Sequence, residues 1–184
     1  MNKIVQQLTE IINPHAVIGK NPLLRIEETN ADSKCRYVKF KGIKGQYFVF
    51  KLDHPNLKRI SNYLNPHNAD INKGCDAIIY AKVNQRKYIL LIELKSESQS
   101  GIAKAKKQLI NSEFFVNYLN ELINCYGKIR TDNIKKRYFI FCTRPGASNP
   151  TDNNHKIKPR IEDGRKIYLC RCNQTVYLGS FDLT

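Results

Sequence analysis

No stretch of this 184-residue chain approaches the ~20 consecutive apolar residues needed to span a bilayer. The opening residues, Met1-Asn2-Lys3-Ile4-Val5-Gln6-Gln7, hold no hydrophobic signal core. Those two absences argue against a membrane protein or an exported one, and the expected location is cytoplasmic. With nothing pointing to export, the six cysteines are expected to be reduced cytosolic thiols, and no Cys-x-x-Cys pair is present. Cys35, Cys75, Cys125 and Cys142 lie in apolar contexts and read as small core residues. Cys170-Arg171-Cys172, even with His67 or His155 as partners, falls short of a zinc pattern. Acidic residues are scarce, with 16 Asp and Glu against 31 Lys and Arg, a formal charge of +15. Such an excess repels itself and does little for folding. It suits a polyanionic partner, whose phosphates release counterions as cations bind. DNA, RNA or an acidic protein would each serve.

There is no internal repeat, low-complexity tract or linker, so a single domain over residues 1–184 is expected, long enough to bury its own core. A short amphipathic helix over 2–12 should end at Asn13-Pro14. Residues 35–43 and 46–52 read as a hairpin around Lys44-Gly45, with Lys39 and Lys41 on one face. A helical turn or two is expected at 56–64, before Pro66. The longest helix should run over about 101–126, capped by Ser98 or Ser100 and ended by Gly127. Its apolar positions Ile102, Ala105, Leu109, Val116, Leu119 and Ile123 recur at three- and four-residue spacing. Lys136–Cys142 and Lys166–Cys172 read as strands. The polar segment from Arg144 to Arg165 has no regular pattern and would be a long loop.

The middle of the chain is the most informative part. Gly74-Cys75-Asp76 leads into the apolar run Ala77–Val83, a polar break follows at Asn84–Lys87, and Tyr88–Leu94 is apolar up to Glu93-Leu94-Lys95. The two runs form a hairpin. With the turn centred on Gln85 and Arg86, Val83 faces Tyr88, Asp76 faces Lys95, and Glu93 is the diagonal neighbour of Asp76. Strand periodicity puts Glu93 and Lys95 on one face. Diagonal neighbours lie roughly 7–8 Å apart, within reach of a shared ion. A carboxylate and an ammonium closing a buried strand are partly desolvated, which is costly unless they are paired or bind a metal. The following helix then crosses over to a strand parallel to the second one. The fold class is α/β or α+β with a mixed central sheet flanked by helices. Lys104 and Gln108 flank the apolar stripe of the helix, where they could reach back toward Glu93 and Lys95.

This segment resembles the PD-(D/E)xK nuclease superfamily of restriction endonucleases, junction resolvases and helicase-linked nucleases. Asp76 matches the motif aspartate, Glu93 the variable acid and Lys95 the lysine. Gly74 and Gln108 also resemble residues that some members carry. Two departures are Cys75, where many members have proline, and Ser112, where the helicase-linked members have tyrosine. The likeness covers about residues 74–142. It implies a restriction-endonuclease-like core and a magnesium-dependent (or manganese-dependent) nuclease, DNA favoured, of the kind found in prokaryotic antiviral defence and repair. Asp76, Glu93, Lys95 and Gln108 would form the catalytic set, with the metal on Asp76, Glu93 and the main-chain carbonyl of Leu94. An acid from the N-terminal region often joins such sites, and Glu10, Glu27 and Glu28 are all available. Lys39, Lys41, Lys104 and Lys107 could track phosphates, whereas Tyr37 and Tyr80 read as core or sheet residues. A homodimer or a partner protein would complete so small an enzyme. The alternative is a non-catalytic basic module that binds nucleic acid or another protein.

Overall fold

The computed structural model describes residues 1–19, 24–43, 45–52, 57, 60, 61, 64, 65, 67, 68, 71–96, 99–143, 147, 148 and 156–183. Its architecture follows from the long apolar run. Strand β5 (Arg86–Lys95) is buried from Tyr88 through Leu94, which requires a covered strand with neighbours on both edges. On one edge lies β4 (Ala77–Val83), antiparallel and joined by a two-residue turn. Asn84 and Gln85 both have positive φ, 47° and 66°, the backbone of a type I′ turn. Val83 therefore pairs with Arg86 rather than with Tyr88. The expected turn was one residue too late and the ladder two residues out. An even displacement leaves every side chain on its expected face.

On the other edge of β5 runs β6 (Lys135–Cys142), parallel to it, and β8 (Arg165–Arg171) is parallel to β6. Antiparallel strands β3 (Phe48–Phe50) and β7 (Arg160–Glu162) close a six-stranded mixed sheet in the order β3-β4-β5-β6-β8-β7. Helix α2 (Gln99–Gly127) makes the β5-to-β6 crossover. It packs with α1 (Asn2–Ile11) on one face of the sheet, where Ile4, Leu8, Leu109, Leu119 and Ile123 meet Ile78, Tyr80 and Leu91. Both helices lie within a residue or two of the expected spans.

The opposite face carries a second sheet instead of a helix. Strands β1 (Leu24–Glu27), β2 (Tyr37–Lys41) and β9 (Gln174–Tyr177) lie in the order β1-β2-β9, with β2 antiparallel to β1 and parallel to β9. Leu24, Ile26, Val38, Phe40 and Val176 face Leu90, Ile92, Phe139 and Phe141 of the larger sheet. The protein is thus a mixed α/β domain of three layers, helix, sheet and sheet.

Three expectations fail here. The hairpin of 35–43 with 46–52 does not form, because β2 belongs to the small sheet and β3 pairs with β4. Val38, Phe40 and Val49 all point into the core between the sheets, so the two strands face each other across it. Cys125 is exposed, unlike Cys35, Cys75 and Cys142. The 144–165 segment is not wholly irregular either. Its end forms the β7–β8 hairpin through Asp163-Gly164, both with positive φ. Residues 144–146 and 149–155 of that segment, most of the helical turn expected at 56–64, and Lys44, Ser98 and His155 lie outside the described residues.

Candidate carboxylate–lysine site

Asp76 enters β4, and Glu93 and Lys95 leave β5, so the antiparallel register brings the three to one end of the sheet. Glu93 Oε2 accepts a hydrogen bond from the Asp76 N–H at 3.2 Å. Asp76 Oδ2 accepts one from the Leu94 N–H at 2.7 Å. The two acids thus stand directly opposite each other rather than diagonally, each carboxylate bound to the other strand's backbone. Lys95 Nζ lies 2.5 Å from Glu93 Oε1. The buried Oε1 is thus paired with the ammonium, while Oε2 takes the Asp76 N–H.

The electrostatics follow from the burial. Asp76 is 6% exposed and Glu93 1%. Burial pushes the Asp76 carboxyl from 3.8 up to about 6, against the opposing pull of the Leu94 N–H bond. Burial also holds Glu93 well above the usual carboxylate range, and the charge of Asp76 adds to it. For Lys95 burial acts downward, but the adjacent Glu93 carboxylate outweighs it and the ammonium is held above its ordinary value.

Helix α2 sets the approach to Asp76. Gln108 Nε2 donates to the Gly74 carbonyl at 3.0 Å, and Asn111 Nδ2 donates to the Lys73 carbonyl at 3.1 Å. The Cys75 N–H donates to Ser112 Oγ at 2.7 Å, while that hydroxyl donates to the Gln108 carbonyl at 2.8 Å. Three successive residues before Asp76 are therefore tethered to one helix face. Gln108 meets the chain two residues upstream of Asp76. Ser112, the departure from the tyrosine pattern, is fully buried and satisfied. Gly74 is required by crowding, since a Cβ there would lie 2.5 Å from Leu52 Cβ.

Two charged residues complete the environment. Among the N-terminal acids, it is Glu28 whose charge raises both Asp76 and Lys95. Glu10 instead accepts from Gln7, and Glu27 pairs with Arg25. Lys51 is 8% exposed, and its charge lowers the Asp76 pKa. Sequence reasoning missed Lys51, although it closes the apolar run Phe48-Val49-Phe50 much as Lys95 closes β5. Lys104 and Lys107 are exposed on the first half of α2. Lys39 and Lys41 lie apart from them on the small sheet, over the rings of Tyr37 and Tyr177. Tyr80 is buried, and its hydroxyl donates to Asn120 Oδ1 at 3.1 Å.

Two buried carboxylates facing each other offer hard oxygen donors, which fit a small divalent cation better than they fit an apolar core. Among the described residues no group of three His, Cys, Asp or Glu side chains stands close enough to hold an ion by side chains alone. Among the described residues, no helix is long and apolar enough to cross a membrane. Comparison with known protein families, with curated proteins and with solved structures finds no match.

Proposed function

We propose that this chain is a metal-dependent nuclease of the PD-(D/E)xK kind, hydrolysing phosphodiester bonds in DNA as an endonuclease. The observation that carries the reading is the pair of buried acids, Asp76 and Glu93, facing each other at one end of the sheet with the Lys95 ammonium 2.5 Å from Glu93 Oε1. Both acids are held above the ordinary carboxylate range, so ionising them in the fold costs free energy that a cation would offset. Asp76 and Glu93, with the Leu94 carbonyl, would hold Mg²⁺ or Mn²⁺. The ion would supply positive charge to the scissile phosphate and lower the pKa of the attacking water.

The remaining roles belong to the chain itself. Lys95 stays protonated at neutral pH, so it orients the water and offsets charge that develops on the phosphate. Gln108 and Ser112 fix the Gly74-Cys75 backbone and, through it, the aim of Asp76. The cations Lys39, Lys41, Lys104 and Lys107 take phosphates away from the reacting one, and a second copy or a partner protein extends that contact.

The test is cleavage of supercoiled plasmid, linear duplex, single-stranded DNA and RNA with Mg²⁺, Mn²⁺ or EDTA, beside folded Glu93→Gln and Lys95→Ala proteins. Nicking or linearisation of plasmid that needs the metal and vanishes in both variants supports the proposal. Absence of cleavage, with salt-sensitive DNA binding untouched by either change, would mark the chain as a basic binding module.

A further inference from the structure

The small sheet buries one face and turns the other outward. Alternation places Arg25, Tyr37, Lys39, Lys41 and Tyr177 on the outer face, because Ile26, Val38, Phe40 and Val176 fill the inner one. The register sets Arg25 beside Lys39, Glu27 beside Tyr37, and Lys41 beside Tyr177. The Arg25 guanidinium lies 4.5 Å from the Tyr37 ring centre and the Lys39 ammonium 5.3 Å from it. Lys41 lies 5.6 Å from the Tyr177 ring. Glu27 is the acid on this face, and it pairs with Arg25. Tyr37, which the sequence suggests is a core or sheet residue, is half-exposed, as is Tyr177.

Two rings interleaved with three cations differ from an ordinary solvated sheet face, where charges of both signs alternate. They match the way single strands are bound, with rings under the bases and cations along the phosphates. The rings stand roughly 13 Å apart along the strand direction, four residues at the usual rise. The cations now over them are exposed contacts of the weak kind, which a stacking base would replace as the cation moves to phosphate. The platform also points at the carboxylates. Its Tyr37 end pairs with Glu27, and the next residue is Glu28, whose charge acts on Asp76 and Lys95. The loop before β2 is tied to the end of β5, where Ser96 Oγ accepts the Lys34 N–H at 2.9 Å.

We propose that the outer face of β1-β2-β9 is a docking platform for single-stranded DNA, with bases stacked on Tyr37 and Tyr177 and phosphates held by Arg25, Lys39 and Lys41. It delivers an unpaired strand to the Asp76–Glu93–Lys95 site, and that direction of delivery, with the choice of DNA over RNA, rests on the nuclease reading.

The experiment is fluorescence anisotropy of the full chain in EDTA with labelled oligo-dT of about 12 nucleotides, a duplex of equal length, and oligo-rU. Oligo-dT should bind more tightly than the duplex and at least as tightly as oligo-rU. Tyr37→Ala and Tyr177→Ala should each weaken oligo-dT binding about five- to a hundredfold, while Tyr177→Phe binds like the wild type. Lys39→Ala should reduce the slope of log affinity against log salt by about 0.7. Tyr177→Trp puts a single indole reporter into a chain without tryptophan, and its emission should fall on adding oligo-dT. Wild-type affinity in folded alanine variants, an indole emission that oligo-dT leaves unquenched, equal ring-dependent binding of duplex, or a preference for oligo-rU would each overturn the platform. Because binding is read in EDTA, a chain that never cleaves would overturn the nuclease reading and leave this result to stand on its own.

Discussion

If Asp76 and Glu93 are a buried pair short of positive charge, removing one charge should stabilise the metal-free protein. The substitution is Asp76→Asn, which keeps the shape and an acceptor for the Leu94 N–H. Burial raises Asp76 from 3.8 to about 6, a shift that already includes the favourable Leu94 bond. A difference of about 2 units corresponds to about 3 kcal/mol. The direction is opposite to that of an ordinary salt-bridged aspartate. The folded state keeps the proton longer than the unfolded one, so the favourable contribution is complete below pH 3.8 and is lost as pH rises through about 6. Asp76→Asn abolishes that loss. It also relieves Glu93, whose proton affinity the Asp76 charge raises.

Thermal unfolding in EDTA, followed from pH 3.5 to 8, measures the effect. At pH 8 the variant should melt about 6–12 °C higher, given about 2–4 °C per kcal/mol for a chain of this size. The gap should close on acidification toward pH 4, where both proteins carry a neutral group. Mg²⁺ at about a thousand times Kd should reverse the ranking, since binding there stabilises the wild type by about 4.1 kcal/mol and the variant lacks a ligand. A variant no more stable than the wild type at pH 8, or a gap indifferent to pH, would refute the argument.

Other consequences can be measured on the same footing. Lys95→Ala should lower turnover about a hundred- to a thousandfold while changing DNA affinity in EDTA little, as expected of a group that acts on developing charge. Ser112→Ala leaves the buried Cys75 N–H without an acceptor and should cost about 1–3 kcal/mol in urea unfolding, with cleavage impaired through Asp76. Gln85→Gly places the favoured Asn-Gly pair at a turn where Gln85 has φ 66°, and should add about 1 kcal/mol without touching the site.

Parts of this molecule were legible from local chemistry. The Asp76, Glu93 and Lys95 cluster could be read because period-2 alternation and a short turn decide which side chains share a face, and an error of two residues in register does no harm. Helices α1 and α2 were legible from their apolar spacing. The small sheet was not. Strands β1 and β9 have four residues each, and the junction of Tyr37 with Asn173 joins positions 136 apart, which no local pattern encodes. Glu28 could not be told from Glu10 and Glu27, and Lys51 was obscure, for the same reason, since layering alone brings them to Asp76. The Asp163-Gly164 hairpin carried a strong turn signal. It went unread because Arg160-Ile161-Glu162 offers no apolar face, and the structure leaves that edge strand largely exposed.

The charges gathered at the sheet end suggest why such an arrangement suits a phosphodiester. Asp76, Glu93 and Glu28 bring three negative charges when ionised, and Lys95 and Lys51 bring two positive ones, which leaves the site one negative charge in excess. A site of that sign repels DNA, and its buried acids resist ionising. One divalent cation changes the sum to +1, which attracts a phosphate and lets both acids ionise together. Metal and substrate would then bind with positive coupling, each favouring the form of the site that the other needs. Titrating DNA affinity against Mg²⁺ in a Lys95→Ala protein that binds without cleaving should show affinity rising with the ion. In Asp76→Asn the rise should be lost. If Mg²⁺ only weakened binding, as added salt does at any basic surface, the carboxylates would have no part in holding DNA.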